Sequence, residues 1–335
     1  MYKRQETGGN LSKTIDLSFV KKDNLITLSP DKAMNFDGTG QVRIDKNNAD
    51  FDFGTDKDFS IELWTKTSTT SGDDALISDK NWNSGGYKGW VIAMQSGNIT
   101  FNVGSGSGNR VDIGSGEPYN DNEWHHIAIS FDRTGTEKVA MYVDGVFKSE
   151  KGLLNLGDIT QENVLVIGAD KNNNYRYEGL IDEVRIWKKA LTATEIRENM
   201  HRIIDVCEAD LISCYQFNEA DGDALDAFSS HHGTISNSTR LESTAPFGPA
   251  IANSQTEMNG NVIFTNTAFD ANYNSHASAN VTATKINISP NATTGIETAD
   301  VVLDNQYWAI NRYENDGELN FDATFAVAEN ITLEQ

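Results

Sequence analysis

Residues 179–187, Gly-Leu-Ile-Asp-Glu-Val-Arg-Ile-Trp, read with a period of two as a strand that carries a charge where the period demands an apolar side chain. Leu180, Val184 and Ile186 fall on one face, and Asp182 falls in line with them. An ionised carboxylate left alone in a core is costly, so Asp182 requires a cation, a set of donors or an opening to water.

The same alternation recurs in eleven candidate strands between Ala33 and Trp187, separated by turn residues and almost without helix. That pattern predicts an all-β sandwich. Asp144-Gly145, between two alternating runs, predicts a tight hairpin. One helix is expected, over Thr192–Met200. Thr192 can cap it, Glu195 completes a capping box, and Ile196 and Met200 share a face.

Residues 1–30 read as a leader or the tail of an upstream domain, with one possible strand at Thr14–Val20. One coding of Met1–Gln5, GTG-TAT-AAG-AGA-CAG with GTG as start codon, looks like the end of a transposon adapter used for sequencing libraries. The expectation is a fragment of a longer product, cut at its carboxy terminus as well. Residues 206–250 read as a trailing segment with a strand at Asp210–Phe217. Residues 251–335, poor in charge and rich in Thr, Asn and Ala, read as a second, smaller β-sandwich, with strands expected at Val262–Asn266, Asn280–Ile288, Ala299–Leu303, Tyr307–Tyr313 and Leu319–Val327.

The chain has 49 acidic and 27 basic residues in 335, a formal net charge of -22. Such a surface argues against nucleic acid and against anionic membrane, both of which need a positive footprint. Two cysteines, Cys207 and Cys214, exclude a disulfide scaffold and a thiol-built zinc site. No apolar run reaches the length of a membrane span.

Six motifs occur in order over residues 31–205. They are Met34-Asn35-Phe36-Asp37-Gly38, Phe59-Ser60-Ile61-Glu62-Leu63-Trp64, Ile77–Trp82 with Gly89-Trp90, Asn122–Ala128, Met141–Gly145, and Gly179–Ile196. In these the chain resembles the laminin G-like, concanavalin A-like jelly-roll domains of secreted bacterial proteins. The stretch from Asp210 to Thr234 is similar to the segment that trails such domains, and residues 251–335 look like a module that accompanies them. The resemblance implies a two-sheet jelly roll, an extracellular setting, and binding rather than catalysis. It also implies a structural calcium between Asp37 and Asp182, with carbonyls from the Gly38-Thr39-Gly40 turn. Oxygen-rich turns suit calcium; the other reading has Asp37 as a turn residue and Asp182 as an acceptor of backbone N–H groups.

Carbohydrate binding needs an exposed aromatic platform with a few polar groups. Trp82 and Tyr87, in a polar Gly-containing loop, and Asn174 and Tyr175, in another, are the candidates; the other reading has Trp82 stapling its loop to the sheet. Asp73, Asp74 and Asp170 could form an acidic rim or a solvated loop. Trp64, Trp90, Trp124 and Trp187 lie within strands and read as core. For catalysis, the carboxylate pair of jelly-roll glycosidases is missing: no second acid follows Asp182-Glu183 at the required spacing, and Glu62 stands alone on its strand. His125 and His126 point to opposite faces and cannot share a metal. In an oxidising compartment Cys207 and Cys214 could form a disulfide. The reading is a calcium-stabilised extracellular module that binds polysaccharide or a cell-surface glycan or protein. The alternative is an accessory targeting module beside a hydrolase domain outside this chain.

Overall fold

The computed structural model describes residues 11–14, 32–46, 49–70, 72–106, 108–161, 163–204, 208–288, 306–313 and 321–326. The strands begin with β1 (Leu11–Thr14), β2 (Lys32–Asp37), β3 (Gln41–Lys46), β4 (Phe59–Lys66), β5 (Asp73–Ser78), β6 (Gly89–Gln95) and β7 (Asn98–Gly104). Then come β8 (Arg110–Pro118), β9 (His125–Asp132), β10 (Lys138–Val143), β11 (Val146–Gly152), β12 (Asn163–Ile167), β13 (Glu178–Trp187) and the helix α1 (Ala193–Asn199). β14 (Leu211–Tyr215), β15 (Gly233–Ser236), β16 (Thr239–Glu242), β17 (Ala250–Phe264), β18 (Phe269–Ile286), β19 (Tyr307–Tyr313) and β20 (Phe321–Phe325) complete the series.

Contacts divide the chain into two units: residues 30–196 with 204–243, and residues 1–29 with 197–203 and 244–335. The larger unit is a jelly roll. Its eight-stranded sheet runs β11-β10-β9-β4-β13-β2-β16, with β14 on β13, and its seven-stranded sheet runs β15-β3-β12-β5-β6-β7-β8. Phe59, Ile61 and Leu63 of β4 meet Trp90 and Ile92 of β6 and Phe101 of β7 in one apolar cluster between the sheets. This is the inward half of each alternation, and burying it drives the two sheets together. The trailing segment is not an appendage: β14, β15 and β16 extend both sheets, pairing with β13, β3 and β2.

In the smaller unit, the described residues form one five-stranded antiparallel sheet. β17 and β18 make a long hairpin, β18 also pairs β19 and β20, and β1 pairs β20. The expected strand at Ala299–Leu303 lies outside the described residues, as does Thr14–Val20 beyond Thr14.

The alternation through Asp182 is interrupted. Between Asp182, opposite Trp64, and Arg185, opposite Glu62, β13 has two residues where β4 has one, and Glu183 takes φ 45°. This is a β-bulge. It puts Ile181, Val184 and Ile186 in the core, while Asp182 and Arg185 lie on the other face. Leu180 and Asp182 therefore do not share a face with Val184 and Ile186. The Asp182 Oδ1 accepts the Glu183 N–H at 2.8 Å, satisfying a donor at the bulge.

Other local signals form as read. Asp144 and Gly145 adopt φ 53° and 73°, the left-handed pair of a type I′ hairpin. At α1, the Glu195 N–H donates to Thr192 Oγ1 at 3.3 Å, and Glu195 Oε2 accepts the Thr192 N–H at 2.8 Å. Thr192→Ala should therefore lower stability by about 1 kcal/mol in a denaturant melt. No change would show that the box carries no net energy.

Candidate functional site

The loop after β5 folds back over the outer face of the seven-stranded sheet. Trp82 lies on Ala75, Val91 and Ala93, which point away from the core, and Tyr175 packs against the same cluster. Trp82 is only 8% exposed, and its Nε1–H donates to Asp73 Oδ1 at 2.6 Å. Its indole staples the loop to the sheet, the second of the two readings of Trp82, and stands packed rather than as an open platform.

Asp170 joins this loop to the 170–176 loop. Fully buried, it accepts the Trp82 N–H through Oδ2 at 3.0 Å and the Asn172 and Asn174 N–H groups through Oδ1 at 2.9 and 2.8 Å. The acidic rim is thus mostly occupied by Trp82 and backbone donors. Burial and then the charges of Asp73 and Glu178 push the neighbouring Asp74 carboxyl up to about 6. Lys80 braces the other end of the loop: its buried Nζ donates to the Gly85 carbonyl at 2.9 Å and to Asn102 Oδ1 at 2.6 Å. Burial lowers its pKa to about 8.

The result is a fixed ledge with polar and aromatic groups outward. Asn83 and Asn174 are exposed, and the half-buried Tyr175 donates its O–H to Asn83 Oδ1 at 3.3 Å. Tyr87, 46% exposed, stands beside Gly104 of β7. From Ala75 to Gly104 is two strands across and four ladder rows along, about 16 Å. The structure therefore gathers Trp82, Asn174 and Tyr175, and leaves Tyr87 at the far end of the ledge.

Asp37 and Asp182 do not converge. Asp37 lies opposite Glu178, and Asp182 lies four ladder positions further along β13, about 13 Å away. Asp37 Oδ1 accepts the N–H and hydroxyl of Thr39, which hold its carboxyl below the usual value, so Asp37, Gly38 and Thr39 form a capped turn. Asp182 is buried at the bulge. The pair does not fit one shared calcium ion. Asp37 and Glu178 instead line an open groove of about 270 Å³ with Asn35, Lys66, Thr67 and Asn122.

Cys214 is buried, and the expected bond to Cys207 falls on a residue outside the described ones. Burial pushes the Cys214 pKa well up.

A charged network escaped the sequence reading. On the outer face of the eight-stranded sheet, Glu62 Oε2 accepts the Trp187 indole N–H at 2.8 Å, and His126 Nε2 lies 3.6 Å from Glu62 Oε1. Arg185 donates to Glu183 Oε2 at 2.7 Å. Trp64 and Trp187 lie on this face and are buried, although neither is in the inter-sheet core. The chain after β13 crosses the face, with the Ser60 and Ser130 hydroxyls donating to the Lys189 and Leu191 carbonyls. Burial pushes the Glu62 carboxyl up to about 7 against the lowering pull of Arg185. Covered in this way, Glu62 and Glu183 are buried from solvent.

The two sheets and their order define a jelly roll, and the sequence agrees. Residues 36–197 match the family model of the concanavalin A-like lectin/glucanases superfamily. Non-toxic nonhemagglutinin type A of Clostridium botulinum is 24% identical over 210 residues, covering 61% of this chain and 17% of its own length. Botulinum-like toxin eBoNT/J of Enterococcus sp. (strain 3G1_DIV0629) is 23% identical over 156 residues, covering 42% of this chain and 11% of its own. The chain thus spans less than a fifth of either relative. A solved protein of Bacteroides ovatus ATCC 8483, described as carbohydrate binding, superposes with a TM-score of 0.53 at 19% identity, covering 66% of this chain and 62% of that one. That likeness shows the fold.

Proposed function

We propose that the jelly roll is a non-catalytic, extracellular binding module for polysaccharide, and that the ledge formed by loops 79–88 and 170–176 is its ligand surface. One observation carries this reading: Asp170 and Asp73 fix both loops through Trp82, so that Asn83, Asn174 and Tyr175 stand outward in a pre-set arrangement. Preorganised loops lose little entropy on binding, and amide groups beside an aromatic edge suit sugar hydroxyls and ring faces. The length of the ledge, from Tyr175 to Tyr87, suits a chain of sugars better than a single one. The burial of Glu62 and Glu183 supports a non-catalytic role.

A glycan array with the intact chain should show binding to a polysaccharide class. Tyr175→Ala should weaken the best ligand about tenfold, or about 1.4 kcal/mol, while Tyr175→Phe, which keeps the ring packed on the Trp82 cluster, should keep most of the affinity and the melt. Full-strength binding by Tyr175→Ala, or silence across the array, would overturn the reading.

A further inference from the structure

We propose that the ledge selects anionic polysaccharide, with Arg176 taking the carboxylate or sulfate group and Lys171 and Arg43 adding charge beside it; this rests on the glycan reading above. Arg176 is exposed, and its Nε donates to both the backbone carbonyl and Oδ1 of Asn173, each at 3.1 Å. That anchoring fixes the guanidinium through one nitrogen and leaves both Nη atoms as an open fork. Such a fork matches the paired oxygens of a carboxylate or sulfate. It stands next to Tyr175 and Asn174, so one sugar can meet ring, amide and fork together.

Two further cations gather at the same turn. Arg43 of β3 donates through Nη1 to the Lys171 carbonyl at 3.5 Å, two residues from the carbonyl that Arg176 holds. Among the described residues, neither Lys171 nor Arg176 has a carboxylate within ion-pair distance. Arg43 has only the exposed Asp45, at 3.7 Å, a pairing that solvent screens. The carboxylate inside the turn, Asp170, is buried and engaged by three backbone N–H groups. The chain as a whole carries a net charge of -22, and Asp73, Asp74 and Glu178 lie near the ledge. The attraction for an acidic group is therefore local to the turn, where the Arg176 fork and the Lys171 and Arg43 charges have no carboxylate partner closer than Asp45 among the described residues.

The test uses calorimetry on the intact chain with polygalacturonate, the same polymer methyl-esterified, dextran sulfate, dextran and duplex DNA. Binding to polygalacturonate or dextran sulfate is expected, and the preferred one identifies the acid group. Salt and the loss of charge on esterification should each weaken binding, esterification by at least tenfold. Arg176→Gln should weaken the acidic polymer about tenfold with an unchanged melt, because the side chain is exposed. Equal affinity for the esterified polymer, or for Arg176→Gln, would overturn the inference while leaving the glycan reading intact if Tyr175→Ala still weakens binding. Binding to neutral glycans alone would do the same. Duplex DNA held as tightly as the acidic polymer would reduce the effect to unspecific charge attraction and also overturn it. Silence with every glycan would sink both readings.

Discussion

Asp170→Ala should lower stability by about 3–4 kcal/mol and release both ledge loops. The wild-type carboxylate is fully buried and accepts three backbone N–H groups, from Trp82, Asn172 and Asn174. Hydrogen bonds to a charged acceptor contribute about 1.5–3 kcal/mol each, and donors left buried without an acceptor add a penalty. The sum is reduced because the freed turn can reach water. Asp170→Asn keeps one carbonyl-type acceptor and should lose about half as much. Denaturant melts give the energies, and hydrogen exchange at Trp82, Asn172 and Asn174 shows whether the loss is local. A change below about 1 kcal/mol with unaltered exchange would show that the loops are held by Trp82 packing alone.

Glu62→Gln should remove a pH dependence of stability. The folded-state pKa of Glu62 is about 7, against an ordinary 4.5, because burial outweighs Arg185 and the Trp187 N–H. Glu183 and Glu195 raise it further, and His126 faces it from β9. Between pH 4.5 and 7 the folded state keeps a proton that the unfolded state releases, so stability falls as pH rises through that window. A shift of this size corresponds to about 3 kcal/mol. The wild type and Glu62→Gln should be equally stable near pH 4.5, and the variant should be the more stable by about that amount at pH 8. Parallel stability curves would show that Glu62 ionises normally in the folded state.

Much of the fold was legible because it rests on local rules. Alternation marked the strands, Asp144-Gly145 marked a turn requiring two positive φ angles, and Thr192 with Glu195 marked a helix start. The bulge was not legible, since one extra residue on β13 is invisible until β4 is placed beside it. Reading through it put Asp182 in the core row; the shared calcium, which the resemblance implied, depended instead on how far Asp182 lies from Asp37 along the ladder. Which of its two readings Trp82 takes was open in the sequence for a related reason. Its loop looked polar and open, but Ala75, Val91 and Ala93 on the outer face form a small apolar floor that only sheet pairing assembles. Asp170 could have been read more closely, because an Asp followed, one residue on, by Asn172-Asn173-Asn174 is a sequence that caps its own backbone. Nothing in the local sequence pairs Glu62 with Trp187, 125 residues away.

The central claim is that ligand binds on the ledge of loops 79–88 and 170–176. Amide chemical-shift mapping of the isotope-labelled chain, titrated with the strongest oligosaccharide from the array, tests it most directly. Shifts should concentrate at Asn83, Tyr87, Asn174, Tyr175 and Arg176. Shifts concentrated instead at Asn35, Asp37, Thr67 and Asn122, around the groove beside Glu178, would contradict the account and place the binding surface in that groove.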